Sequence, residues 1–133
     1  MNIAQSINRR LSAPQPSEKQ IHTAVVDHWR MFGLPGTLVA TLANEYAHGQ
    51  PGLTRGLPDL LVLGPSIPGH VGFIELKKLT GAPSKAQLDF QGRCMDLGIF
   101  CALTYGRDEP IYVLECWGVI KRNERRSVSE EIK

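Results

Sequence analysis

No stretch of this 133-residue chain approaches the roughly 18 consecutive apolar residues that a membrane-spanning helix needs. An excess of one charge is also missing: fifteen Lys and Arg stand against thirteen Asp and Glu, a formal +2, so a nucleic-acid-binding surface would have to come from charge distribution rather than from the total. Cysteine is scarce. Cys94, Cys101 and Cys116 are odd in number and lack the paired short spacings of a zinc knuckle, and the N-terminus carries no signal-peptide pattern. We therefore expect reduced, mostly buried thiols in a soluble, cytoplasmic protein. His22, His28, His48 and His70 form no His-x-x-x-His ligand pattern, which argues against a histidine-held metal. There is no internal repeat, the length fits one domain, and 42% hydrophobic residues suffice for a core.

What is present is a concentration of charge inside apolar sequence. Gly56-Leu57-Pro58-Asp59-Leu60-Leu61-Val62-Leu63 is followed, after a Gly/Pro-rich turn, by Val71-Gly72-Phe73-Ile74-Glu75-Leu76-Lys77. Asp59 to Leu63 and Val71 to Lys77 read as strands, and residues 64–70 between them are few enough for an antiparallel hairpin. Side chains alternate along a strand, so Glu75 and Lys77 share one face and Leu76 takes the other. Charge in such a setting costs several kcal/mol unless it is paired or binds a metal. Two carboxylates able to share a divalent cation beside an ammonium are the equipment of metal-dependent phosphodiester hydrolysis.

The rest of the chain supplies a frame. Residues 1–16, rich in Asn, Gln, Ser and Pro with Arg9 and Arg10, read as a loosely ordered arm. Ser17-Glu18-Lys19-Gln20 has the form of a capping box and opens a helix to Phe32, with Ile21, Ala24, Val25, His28, Trp29 and Phe32 at helical spacing and Gly33 and Pro35 closing it. Residues 37–42 are β-branched and short, the first strand, and 46–57 form a Gly- and Pro-containing loop that leads to Asp59. A second capping box, Ser84-Lys85-Ala86-Gln87, opens a helix that uses Leu88, Phe90, Cys94 and Leu97 and stops at Gly98, before a buried fourth strand at 99–105. Residues 111–119 suit helix or strand by pattern, and Asp108 and Pro110 tip the reading to helix. Trp29 and Trp117 are read as core or interface residues. The domain thus spans 17–120, and 121–133 is a charged tail.

The order helix, strand, two-stranded hairpin, helix, strand, with Pro58-Asp59 on the second strand and Glu75-Leu76-Lys77 on the third, resembles the PD-(D/E)xK nuclease superfamily. Within it the chain is most similar to the VRR-NUC family, the virus-type replication-repair nucleases. The similarity rests on Glu18 in the first helix, Gly56-Leu57-Pro58-Asp59, Ile74-Glu75-Leu76-Lys77, and Ser84-Lys85-Ala86-Gln87. It implies an α/β fold: a single-domain, restriction-endonuclease-like core with a mixed four-stranded sheet flanked by helices. It also implies a bacterial or phage-infected cell as the setting.

The resemblance assigns roles to particular residues. Asp59 and Glu75, with the backbone carbonyl of Leu76, would hold Mg²⁺ or Mn²⁺, and Glu18 would join them directly or through water; the bland alternative for Glu18 is a first-turn acid favoured by the helix dipole. Lys77 would orient the attacking water and offset charge on the phosphate. Gln87 is either a site glutamine or the N3 residue of its capping box. Arg55, His48, Lys19, Lys78 and Lys85 are candidate DNA contacts, with Lys78 on the face opposite Lys77. The implied activity is endonucleolytic hydrolysis of DNA leaving a 5′-phosphate and a 3′-hydroxyl, on branched or four-way-junction DNA, by a homodimer in replication, repair or recombination. No base-reading motif is visible. A catalytically inactive nucleic-acid-binding module and an unrelated α/β protein-interaction domain are the alternatives.

Overall fold

The computed structural model describes residues 14–42 and 54–122. His48, most of the expected arm and tail, and much of the 46–57 loop lie outside the described residues. Both capping boxes form. Ser17 Oγ accepts from the Gln20 N–H at 3.1 Å while Gln20 Oε1 accepts from the Ser17 N–H at 2.9 Å, and helix α1, Glu18–Phe32, begins there. Its buried stripe is Ile21, Val25 and Val26, so Val26 replaces Phe32, which lies at the exposed end of the helix.

Four strands follow, β1 (Leu38–Thr41), β2 (Leu60–Leu63), β3 (Val71–Lys77) and β4 (Phe100–Tyr105), in the spatial order β1-β2-β3-β4. The first two pairings are antiparallel and β3–β4 is parallel, so the sheet is mixed. The hairpin forms as expected, its loop holding a short 3₁₀ turn over Pro68–His70 and anchored by buried Ile67. Helix α2, Lys85–Leu97, crosses over from β3 to β4, which the parallel pairing requires. Helix α3, Asp108–Cys116, resolves the ambiguous segment. Asp108 and Glu109 occupy its first turn, where the helix dipole favours acids, and Pro110 is tolerated there because no intrahelical N–H is needed.

One face of the sheet carries the apolar core. Val39, Leu60, Val62, Ile74 and Leu76 pack with Ile21, Val25 and Val26 of α1, Leu114 of α3, and Val119 and Ile120 beyond it, with Trp29 and Trp117 against this cluster. Two expectations about burial fail. In β4 only Thr104 is buried, because β4 is an edge strand with a neighbour on one side alone. On α2 only Cys94 is buried: Leu88 is 48% and Leu97 74% exposed, since the helix turns Gln87, Phe90, Gln91 and Cys94 toward the sheet instead. The thiols are likewise not mostly buried, with Cys94 inside, Cys101 partly covered and Cys116 exposed. No helix among the described residues is long and apolar enough to cross a membrane.

Gly72 is where β3 admits the ring of Trp117: a Cβ there would come within 2.7 Å of Cζ3. Gly72→Ala should therefore lower stability by about 1–3 kcal/mol through overpacking. Urea unfolding checks this, with little change in the slope against denaturant.

Candidate active site

The opposite face of the sheet carries the charge. In the β2–β3 register Leu60 faces Ile74, so one step further Asp59 stands opposite Glu75, on the same face, and Pro58 opposite Leu76. β2 itself begins at Leu60, one residue later than expected, yet the Asp59 carbonyl still accepts from the Leu42 N–H at 2.8 Å. The Asp59 side chain turns back across the hairpin, where Oδ2 accepts from the Leu76 N–H at 2.7 Å. Proline at 58 has no N–H to donate to the Leu76 carbonyl, so the ladder stops at this point and that oxygen is left outside it.

Glu75 is 7% exposed. Its Oε1 accepts from Gln87 Nε2 at 2.8 Å, and its backbone carbonyl accepts from the buried Thr104 hydroxyl at 2.9 Å. Oε2 is buried with no hydrogen-bond partner among the described residues. Such an atom is costly unless something else satisfies it. Burial first, and then the Asp59 carboxylate opposite, push the Glu75 carboxyl up to about 9, against the pull of Lys77.

Lys77, the last residue of β3, has a side chain only 11% exposed, with Nζ 3.8 Å from Glu75 Oε1 and 3.8 Å from Glu18 Oε1. Glu18 is thus across the ammonium from Glu75, its side chain half exposed. Lys78 lies past the strand in an exposed turn, its carbonyl accepting from the Gly81 N–H at 2.9 Å. Lys19, Lys85 and Arg55 are exposed.

Gln87 is the N3 residue of its capping box and also reaches Glu75. Its Oε1 accepts from the Ser84 N–H at 2.8 Å, closing the capping box, while its Nε2 donates to Glu75. The N–H of Ser84 needs an acceptor, which fixes the orientation of the amide. Gly56 explains another part of the motif. With φ +84 and a would-be Cβ 2.4 Å from the Ala86 carbonyl oxygen, it lets the chain before Asp59 lie directly on the first turn of α2. A cavity of about 10 Å³, the room of about one water, is lined there by Gly56, Pro58, Glu75, Gln87 and Cys101. Burial, then Cys94, pushes the Cys101 thiol up to about 12, so it stays neutral and is no nucleophile.

Two residues of this site carried no signal in the sequence. Thr104 reads as an ordinary strand threonine, and Cys101 as a core thiol; only the parallel register, which sets Thr104 beside Leu76 and Cys101 beside Phe73, brings them here. Among the described residues no three His, Cys, Asp or Glu side chains group as a metal cage. The donors that could hold a cation here are all oxygens: Asp59, the unsatisfied Glu75 Oε2, and the Leu76 carbonyl, to which Pro58 has no N–H to donate. That is a hard donor set, which suits Mg²⁺ or Mn²⁺ over zinc or copper.

The raised Glu75 makes stability depend on pH. Because the folded state holds this proton more tightly than the unfolded chain, the contribution is complete below the ordinary value of 4.5 and is lost as pH rises toward about 9. The melting temperature of the metal-free protein should fall across that window. Glu75→Gln should flatten most of the fall in a thermal scan series, and an unchanged profile would remove Glu75 as its source.

By sequence, the chain matches no family model and no curated protein. By fold it has solved counterparts. A structure described as "VRR_NUC domain protein" superposes with a TM-score of 0.65 at 18% identity, over 83% of this chain and 100% of that one. Another, described as "VRR_NUC domain", gives 0.55 at 22% identity, over 75% of this chain and 97% of that one. The two share with this chain an α/β core at low identity, and the chain has the fold of the VRR_NUC domain.

Proposed function

We propose that this chain is a Mg²⁺- or Mn²⁺-dependent endonuclease of the VRR-NUC family that hydrolyses phosphodiester bonds in DNA. The observation that carries the reading is the Glu75 carboxylate: buried on a central strand, opposite Asp59, with one oxygen held by Gln87 and the other unsatisfied. A purely structural carboxylate would be expected to use both oxygens. Asp59, Glu75 and the Leu76 carbonyl would hold the ion, with Glu18 joining through water. The ion would supply a Lewis acid for the phosphoryl group and acidify water.

The chain's own residues do the rest. Gln87 holds Oε1 of Glu75, which fixes the direction of Oε2. Lys77, between Glu75 and Glu18, orients the attacking water and offsets the charge that builds on the phosphate. Water adds to phosphorus, the bond to the 3′-oxygen breaks, and that oxygen takes up a proton, leaving a 5′-phosphate and a 3′-hydroxyl. The substrate proposed is branched or four-way-junction DNA, cut by a homodimer in replication, repair or recombination. The absence of a base-reading motif in the sequence supports structure selection over sequence selection.

Supercoiled and four-way-junction DNA should be cut with Mg²⁺ or Mn²⁺ and left intact with EDTA. Asp59→Asn and Glu75→Gln should each lower the rate by about a thousand-fold or more while the protein stays folded. Turnover like the wild type in either variant would sink the assignment. DNA binding without any cleavage would select the inactive module, and no DNA affinity even at low salt the interaction domain.

Lys77 gives a sharper test. Lys77→Ala should bind DNA yet cleave very slowly, and Lys77→Arg should not restore the rate, because a broad planar guanidinium cannot take the place of a compact ammonium. Cleavage rate and melting temperature are measured together for both variants. Full activity with Arg, or a loss of stability without a loss of rate, contradicts the role.

A further inference from the structure

Beside the carboxylates lies a second and larger hollow. A groove of about 470 Å³ is bounded on one side by Thr54, Arg55 and Leu57 and on the other by Ala86, Asp89, Phe90 and Arg93 of α2. The helix residues fall at i, i+3, i+4 and i+7, a single stripe adjoining the one that faces the sheet. Phe90 also lines the small cavity at Glu75, as does Gly56, which lies between Arg55 and Leu57 and is seated on Ala86, so the groove adjoins the carboxylate site. From Ala86 to Arg93 is seven residues, about 10 Å, or about three base-pair steps of one DNA strand.

Its charge is uneven. Arg55 and Arg93 are exposed and neither forms an ion pair among the described residues, while Asp89 is the one carboxylate in the lining. Leu57 and Phe90 provide an apolar wall, and Phe90 is held edge-on to Phe73 with ring centroids 5.3 Å apart. Two guanidiniums that bind phosphate bidentately, spaced along a wall suited to sugars, match a sugar–phosphate backbone.

Building on the nuclease reading, we infer that this groove seats the DNA strand on one side of the bond to be cut, with Arg93 and Arg55 binding its phosphates and Asp89 weakening their hold. Arg93 acts at a distance from the reacting atoms and binds ground state and transition state alike. Its loss therefore raises KM and leaves kcat nearly unchanged.

The test is fluorescence anisotropy of a labelled DNA duplex in EDTA over a series of salt concentrations, beside cleavage kinetics with Mg²⁺. Arg93→Ala should weaken binding about 5- to 10-fold and reduce the slope of log affinity against log salt by about 0.9. Asp89→Asn should move both in the opposite direction. Arg30→Ala, which removes an arginine paired with Asp27 on α1, should change neither. A slope that Arg93→Ala leaves unmoved overturns the inference, as does an equal effect from Arg30→Ala. The two readings fail separately: a slope lost without any cleavage by the wild type keeps the groove and rejects the nuclease, and normal cleavage with an unmoved slope does the reverse.

Discussion

The site depends on one constraint, that the Glu75 carboxylate is placed on a strand with neighbours on both sides. β3 lies between β2 and β4, so its backbone is paired along both edges and its side chains have little access to solvent. Two of the surrounding elements answer that burial: α2 extends Gln87 to one oxygen and the strand's own end supplies Lys77, while Asp59, set opposite by β2, works against it as a like charge, and the Thr104 hydroxyl of β4 serves only the Glu75 backbone carbonyl. Burial raises the affinity of the carboxyl for a proton, and a divalent cation would relieve the same penalty more completely.

The Pro58-Asp59 step is the second half of this arrangement. A regular residue at 58 would continue the ladder and take the Leu76 carbonyl into a backbone hydrogen bond. Proline removes the donor that the Leu76 carbonyl would have met, and the next side chain folds over so that its carboxylate accepts from the Leu76 N–H. The backbone pairing of two interior strands is thereby interrupted without any unpaired N–H being left at Leu76.

What the sequence disclosed was whatever is decided locally. Capping boxes, the hairpin and the alternation that joins Glu75 to Lys77 depend on residues within a few positions of one another, and these are found as read. The misreadings share a different cause. Leu88 and Leu97 are apolar and so suggest the buried side of α2, but the surface that α2 covers carries Glu75, so its inward stripe includes Gln87 and Gln91. The burial of β4 depended on its being an edge strand, and the nearness of Thr104 and Cys101 on a parallel register that no local pattern encodes. The segment 111–119, where the apolar pattern suits helix or strand, is helix through Cys116 as Asp108 and Pro110 indicate, with Leu114 packed in the core.

Gln87 has a consequence for which sequences this fold can accept. A capping box tolerates Glu as readily as Gln at its third position, so by helix criteria alone the two are interchangeable there. Here the side chain must accept from Ser84 with one end and donate to Glu75 with the other. Glutamate keeps the first bond and turns the second into a third carboxylate facing Asp59 and Glu75. A position that helix formation leaves with two acceptable letters is reduced by the neighbouring strand to one, and the start of α2 cannot drift in sequence independently of the carboxylates it overlies.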